Sequence, residues 1–178
     1  MKSSDRTPAD QIPFLDQEAQ DFVAAMGRSL AGPGDLKDAI VRVLTETTEF
    51  LNAEEASIFL VDSPSSELVL TYASGEVGRQ IIGLRLQSGQ GVVGWVVKNS
   101  EDLIVPYPGL DERFFGGVDK RTGFTTRSLL CGPIRTHDAT LGAVEVMNKR
   151  VGTFNDDDLV VLRAVAGLLA GVIPNRES

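Results

Sequence analysis

The hydrophobic period of this chain changes near Ala56, and that change constrains the fold more than any other feature. Before it, apolar residues recur at helical spacing. Residues 16 to 30 place Ala19, Phe22, Val23, Met26 and Leu30 on one stripe, and Ala31-Gly32-Pro33-Gly34 breaks it. Asp35 is placed to cap a second helix that carries Leu36, Ile40, Val43, Leu44, Thr47 and Leu51 on one face. After Ala56 the runs 57 to 62 and 67 to 74 flank Ser63-Pro64-Ser65-Ser66, which predicts two antiparallel strands and a short turn.

The rest of the chain continues in short elements. Residues 83 to 87 predict a strand, the glycines of 88 to 95 lead into a helix ending near Asn99, and 103 to 106 predict another short strand. Residues 108 to 123 read as helical or irregular, because Leu110, Phe114, Phe115 and Val118 are helically spaced while glycines interrupt them. Residues 127 to 136 and 140 to 149 pair as a hairpin across His137-Asp138-Ala139, and 155 to 173 form a closing helix. This order predicts an α+β fold with a central antiparallel sheet and helices packed on one face.

A chain of 178 residues, 42% of them hydrophobic, suffices for one well-packed domain with helical additions. The expected divisions are a flexible leader at 1–13, a helix and linker at 14–34, the domain at 35–173 and a tail at 174–178, where Pro174 stops the last helix. The net charge of −8 argues against a nucleic-acid partner. A single cysteine excludes an internal disulfide, the N-terminus lacks the apolar core of a signal peptide, and no apolar run approaches the roughly 20 residues that span a bilayer. A cytoplasmic protein without membrane contact is expected. The helical stripes exceed what one sheet face can cover, so a homodimer through the helices is expected as well.

Candidate chemistry concentrates late in the chain. Thr122 and Thr126 bracket a turn from helix into strand, Asp119 lies just before them, and Glu145 sits on the partner strand of the hairpin that Thr126 opens. Two readings stay open from position types alone. The four side chains can face one cavity, where a sugar hydroxyl would partner a buried carboxylate. Alternatively the threonines only bound the helix and Glu145 faces solvent on an edge strand. Cys131 lies among apolar residues and reads as a small hydrophobe, His137 reads as an exposed turn residue, and Asp156-Asp157-Asp158 suit a first helical turn without any metal.

Asp119, Thr122, Gly123, Phe124, Thr126, Arg127, Cys131, Pro133 and Ile134, followed by Glu145, Asn148-Lys149, Phe154 and Asp158, closely resemble the cyclic-nucleotide-binding GAF domains of phosphodiesterases and cyanobacterial-type adenylyl cyclases. The resemblance runs from about Leu36 to Ile173. It implies a GAF-type sheet with a ligand pocket on the face opposite the helices, and a regulatory sensor of cAMP or cGMP rather than an enzyme. It also implies that Ser57, Phe115, Asp119, Thr122, Thr126 and Glu145 line the pocket, and that Val92 and Val93 open the helix whose backbone faces the cyclic phosphate. Backbone N–H groups at a helix N-terminus would let an acidic protein hold that anion without a lysine.

Asn148, Lys149, Phe154 and Asp158 would support the pocket from behind, with a Lys149–Asp158 ion pair fastening the last helix. Leu159 stands where the family motif ends in glutamate. The alternatives are a dimerisation or interaction module without a nucleotide, and a free methionine-sulfoxide reductase. The latter chemistry uses several cysteines, and this chain has one. A bilin photoreceptor fits less well, since no Cys-His pair flanks the pocket. The downstream effector and the choice of purine are not specified by these residues.

Overall fold

The computed structural model describes residues 14–174, so the leader at 1–13 and the tail beyond Pro174 lie outside the described residues. Asp16 caps α1 (Gln17–Ala31) by accepting the Ala19 N–H at 2.8 Å, and Asp35 caps α2 (Leu36–Phe50) by accepting the Lys37 N–H at 2.7 Å. β1 (Ala53–Asp62) and β2 (Glu67–Ala73) form the first antiparallel pair. Then come α3 (Glu76–Gln80), β3 (Arg85–Leu86), α4 (Gly91–Asn99), β4 (Leu103–Val105) and a 3-10 turn at Pro108–Leu110. α5 (Gly117–Thr122), β5 (Leu129–Arg135), β6 (Thr140–Lys149) and α6 (Asp156–Val172) complete the chain.

The strands form one antiparallel sheet in the order β3-β2-β1-β6-β5-β4. The last strand in sequence therefore lies at the centre, between β1 and β5. Strand alternation sorts the side chains into two layers. Ala56, Ile58 and Leu60 of β1 with Val144 and Val146 of β6 belong to one core, whereas Phe59 and Ala143, with Met147 against them, belong to the other.

The first core is closed by α2 and α6, and α1 packs on both. Ile40, Leu44, Ile58, Leu130, Leu162 and Leu169 are fully buried there, each worth about 1.5–3 kcal/mol in transfer free energy. The α1 stripe is covered within the chain: Met26 and Leu30 are buried, and the Phe22 ring stacks on Phe50 at 4.2 Å between centroids. This removes much of the basis for the expected homodimer, because α1 forms an outer layer over α2 and α6 rather than leaving its stripe open. Of the large apolar side chains on or beside α1 and α2, Phe14 and Leu36 remain exposed.

Asn148 and Lys149, at the end of β6, tie distant segments together. Asn148 takes φ 63° and is fully buried; its Oδ1 accepts the N–H groups of Arg127 (2.6 Å) and Ser128 (3.3 Å), and its Nδ2 donates to Thr125 O and Glu54 Oε2 (both 2.9 Å). Lys149 Nζ donates to Leu51 O at 2.7 Å and to Asp158 Oδ1 at 3.1 Å, and lies 5.9 Å from the Phe154 ring centre. Asp158 Oδ2 accepts the Asn155 N–H while Asn155 Oδ1 accepts the Asp158 N–H, so α6 starts in a capping box. The acidic run 156–158 thus serves the helix start, and among the described residues no cluster could hold a metal ion. No helix among them is long and apolar enough to cross a membrane.

Candidate ligand-binding site

The second face of the sheet carries shorter cover. α4 packs on β5 and β6, α3 lies against β2, and α5 with the segment before it closes the remaining side. Between this cover and the sheet lie two cavity lobes of about 60 and 50 Å³. They share Phe59, Val118, Asp119, Glu145 and Met147 as a common wall, so they are two ends of one space.

Every pocket residue expected from sequence reaches this space. Val92, Val93, Phe115 and Thr126 line the first lobe, Ser57 and Thr122 the second, and Asp119 and Glu145 both. Gln90 precedes α4, no side chain caps its first turn, and Gly91, Val92 and Val93 line the first lobe, so the start of α4 with its unpaired N–H groups lies at that lobe. Phe115 stands beside Gly91, at 41% exposure, on the rim.

Asp119 and the threonines are already engaged with the protein. Asp119 accepts the Thr126 N–H at 2.7 Å and the Thr126 hydroxyl at 2.8 Å, which ties α5 to the entrance of β5. Thr122 donates to Val118 O at 2.9 Å and accepts the Phe124 N–H at 3.2 Å. Gly123 ends α5 at φ 77°, a left-handed conformation that costs glycine little. The threonines therefore do bound the helix, and they also line the cavity.

Glu145 differs from the alternative sequence reading of an exposed edge-strand acid. β6 is central, and the Glu145 side chain has protein around it with its remaining surface turned to the cavity it lines. Desolvation raises its pKa from 4.5 to about 7; the Ser57 hydroxyl donates to Oε1 at 3.1 Å and opposes the shift, and the Asp119 charge adds to it. Near neutral pH the group can offer a proton or accept one.

Sequence reasoning missed Glu55, Phe59 and Met147 on the strands and Val77 and Ile81 around α3. Strand parity would have found the first three: Glu55 and Phe59 lie two residues either side of Ser57, and Met147 two beyond Glu145. Cys131 is buried on β5, does not line either lobe, and burial pushes its thiol well above its ordinary pKa. His137 is exposed in the β5–β6 turn.

The comparisons with known proteins follow this architecture. Residues 80% of the chain in extent are 28% identical to a probable 3',5'-cyclic phosphodiesterase of Caenorhabditis elegans, and 81% of the chain is 26% identical to the dual 3',5'-cyclic-AMP and -GMP phosphodiesterase 11A of Takifugu rubripes. The matched regions cover 21% and 17% of those proteins, so the chain spans about a fifth of the length of the curated relatives it matches. Among solved structures, the GAF domain of a phosphoenolpyruvate-protein phosphotransferase from Coxiella burnetii superposes with a TM-score of 0.78 at 21% identity, over 86% of this chain and 90% of that one. The free methionine-R-sulfoxide reductase from Neisseria meningitidis superposes at 0.72 and 17% identity, over 89% and 92%. Those two likenesses concern the fold alone. The family model for the GAF domain matches residues 35–173, and the chain belongs to the GAF domain family.

Proposed function

We propose that this chain is a regulatory sensor domain, not an enzyme, that binds a cyclic nucleotide, cAMP or cGMP, between the sheet and the α3–α4–α5 cover. The observation that carries the reading is the gathering of Ser57, Asp119, Thr122, Thr126 and Glu145 around one space that ends at the uncapped start of α4. The helix start suits the cyclic phosphate, and the polar side chains in the common wall suit the sugar. Both lobes are far smaller than a nucleotide, so the ligand enters by displacing the short cover, with Phe115 and α5 as the movable part. Asn148, Lys149, Phe154 and Asp158 hold the frame behind the pocket rather than touch the ligand. A methionine-sulfoxide reductase reading has no support in the site, because the chain's single cysteine lies outside both lobes. The homodimer remains part of the proposal, resting on Phe14 and Leu36 at the helical layer.

Thermal melting with added nucleotide tests the reading. At about 100 times its dissociation constant a cyclic nucleotide stabilises the fold by roughly 2.7 kcal/mol, which for a chain of this size is a melting shift of about 5–11 °C. Linear AMP and GMP should shift it less, and Thr126→Ala should remove much of the shift. If no cyclic nucleotide moves the transition at millimolar concentration and none copurifies, the interaction-module reading replaces this one.

A further inference from the structure

Assigning phosphate to the start of α4 and sugar to the common wall leaves the far end of the second lobe without a role. That end is formed by Glu55, Leu70, Val77, Gly78 and Ile81. Apart from Glu55 it is apolar or backbone, a seat for a flat ring. Glu55 precedes Ser57 by two residues on β1 and so shares its face.

The carboxylate of Glu55 lies over the start of α3, in space that glycine leaves open. A Cβ at Gly75 would overlap Glu55 Oε1, and one at Gly78 would lie 3.8 Å from Oε2. The Gly78 backbone N–H and the Arg79 charge both favour the ionised carboxylate. Two carboxylate oxygens offer about four acceptor positions, so one backbone N–H leaves acceptor capacity on a side chain that lines the lobe. Desolvation pushes the Glu55 carboxyl up, and the neighbouring Glu54 charge adds to that, against Arg79 and the Gly78 hydrogen bond. A partly desolvated acceptor of this kind favours a ligand that brings donors.

We propose, resting on the cyclic-nucleotide reading, that Glu55 recognises the base and that the pocket selects guanine over adenine. The Watson–Crick edge of guanine places the N1–H and the N2 amino group side by side, two donors matched to the two oxygens of one carboxylate. Adenine presents its N6 amino group beside the bare N1 lone pair, which would face a carboxylate lone pair. A site built to accept hydrogen bonds rejects the analogue that lacks the donor more strongly than an apolar pocket rejects a shape. Phe59 and Leu70, at the sheet side of the same lobe, provide contact for the ring face.

The test is a set of dissociation constants for cGMP, cIMP and cAMP on the wild-type chain, Glu55→Gln and Glu55→Ala. The wild type should bind cGMP at least about tenfold more tightly than cAMP, one hydrogen bond's worth of discrimination, with cIMP between them because it keeps N1–H and lacks the amino group. Glu55→Gln replaces one acceptor with an amide donor that matches adenine N1, so it should weaken cGMP, strengthen cAMP and bring the ratio near unity or invert it. Glu55→Ala should lose the preference without gaining one for cAMP. The ratio is the readout, so a general loosening that weakens all three ligands does not imitate the effect. A wild type that binds cAMP as tightly as cGMP, or a Glu55→Gln ratio equal to that of the wild type, overturns the assignment and leaves the cyclic-nucleotide reading standing. Wild-type protein that binds none of the three overturns both.

Discussion

The two faces of the sheet are built from the same strands and hold opposite kinds of interior. On one face Ile58, Leu130, Val144 and Val146 meet Ile40, Leu44, Leu162 and Leu169 from helices of fifteen to seventeen residues. On the other, helices of five, nine and six residues lie over Ser57, Phe59 and Glu145, with Glu55 and Asp119 beside them and unfilled space between. Long helices bring enough apolar area to close a core outright. Short ones, each with glycine at or beside its start, leave cavities and tolerate carboxylates. Stability therefore resides mainly on the helical face and the proposed ligand chemistry on the other, so substitutions on the two faces should separate melting from binding.

The largest effect should come from the helical face. Leu162→Ala removes a fully buried side chain between α6 and the sheet and should cost about 2–5 kcal/mol, seen as a lowered midpoint in denaturant unfolding. A cost below about 1 kcal/mol would break the division between the faces, since it would mean that this core relaxes as readily as the pocket side.

Glu145 gives the next largest effect, and it works through pH. Its pKa is raised in the fold from 4.5 to about 7, so the folded chain binds more protons than the unfolded chain in that window. The contribution to stability is fully present below pH 4.5 and is lost as pH rises through about 7. Glu145→Gln keeps the shape without the charge. Above pH 7 it should be more stable than the wild type, on the order of 3 kcal/mol at most, and near pH 4.5 the two should converge. Parallel stability-versus-pH curves for the two proteins would show that Glu145 is solvated, and the pocket open, in the unliganded state.

A smaller loss is expected where the end of β6 holds the start of α6. Lys149→Met removes the Asp158 ion pair and the donor to Leu51 O, with 16% and 11% of the two ionic side chains exposed. The cost should be roughly 1–2 kcal/mol, between an exposed pair and a fully buried one. An unchanged melting temperature would assign the hold on α6 to its capping box and apolar face alone.

Much of this division is legible in the sequence. The change of period at Ala56, the cap Asp35, and the glycine before α4 specify the elements because they act locally. Strand order does not act locally: no residue of β6 announces that it will lie between β1 and β5, and that placement is what turns Glu145 inward. α3 escapes because Glu76-Val77-Gly78-Arg79-Gln80 has one apolar residue and a glycine, too little for a period. The adjacent acids Glu54 and Glu55 look alike in sequence, yet the fold gives Glu54 to Arg127 and Asn148, which lowers its pKa, and Glu55 to the cavity, where burial raises it. Parity with Ser57 separates them once Ser57 is known to face the pocket.

Calorimetric titration of unliganded protein with cGMP and cAMP asks whether the space between the sheet and its short helices is a cyclic-nucleotide site. Saturable binding of at least one of them is expected at one site per chain, with the heat abolished or strongly reduced in Thr126→Ala while that variant melts within a few degrees of the wild type. Absence of saturable heat with either nucleotide at millimolar concentration, from protein shown by mass spectrometry to carry no bound ligand, would contradict the cyclic-nucleotide reading.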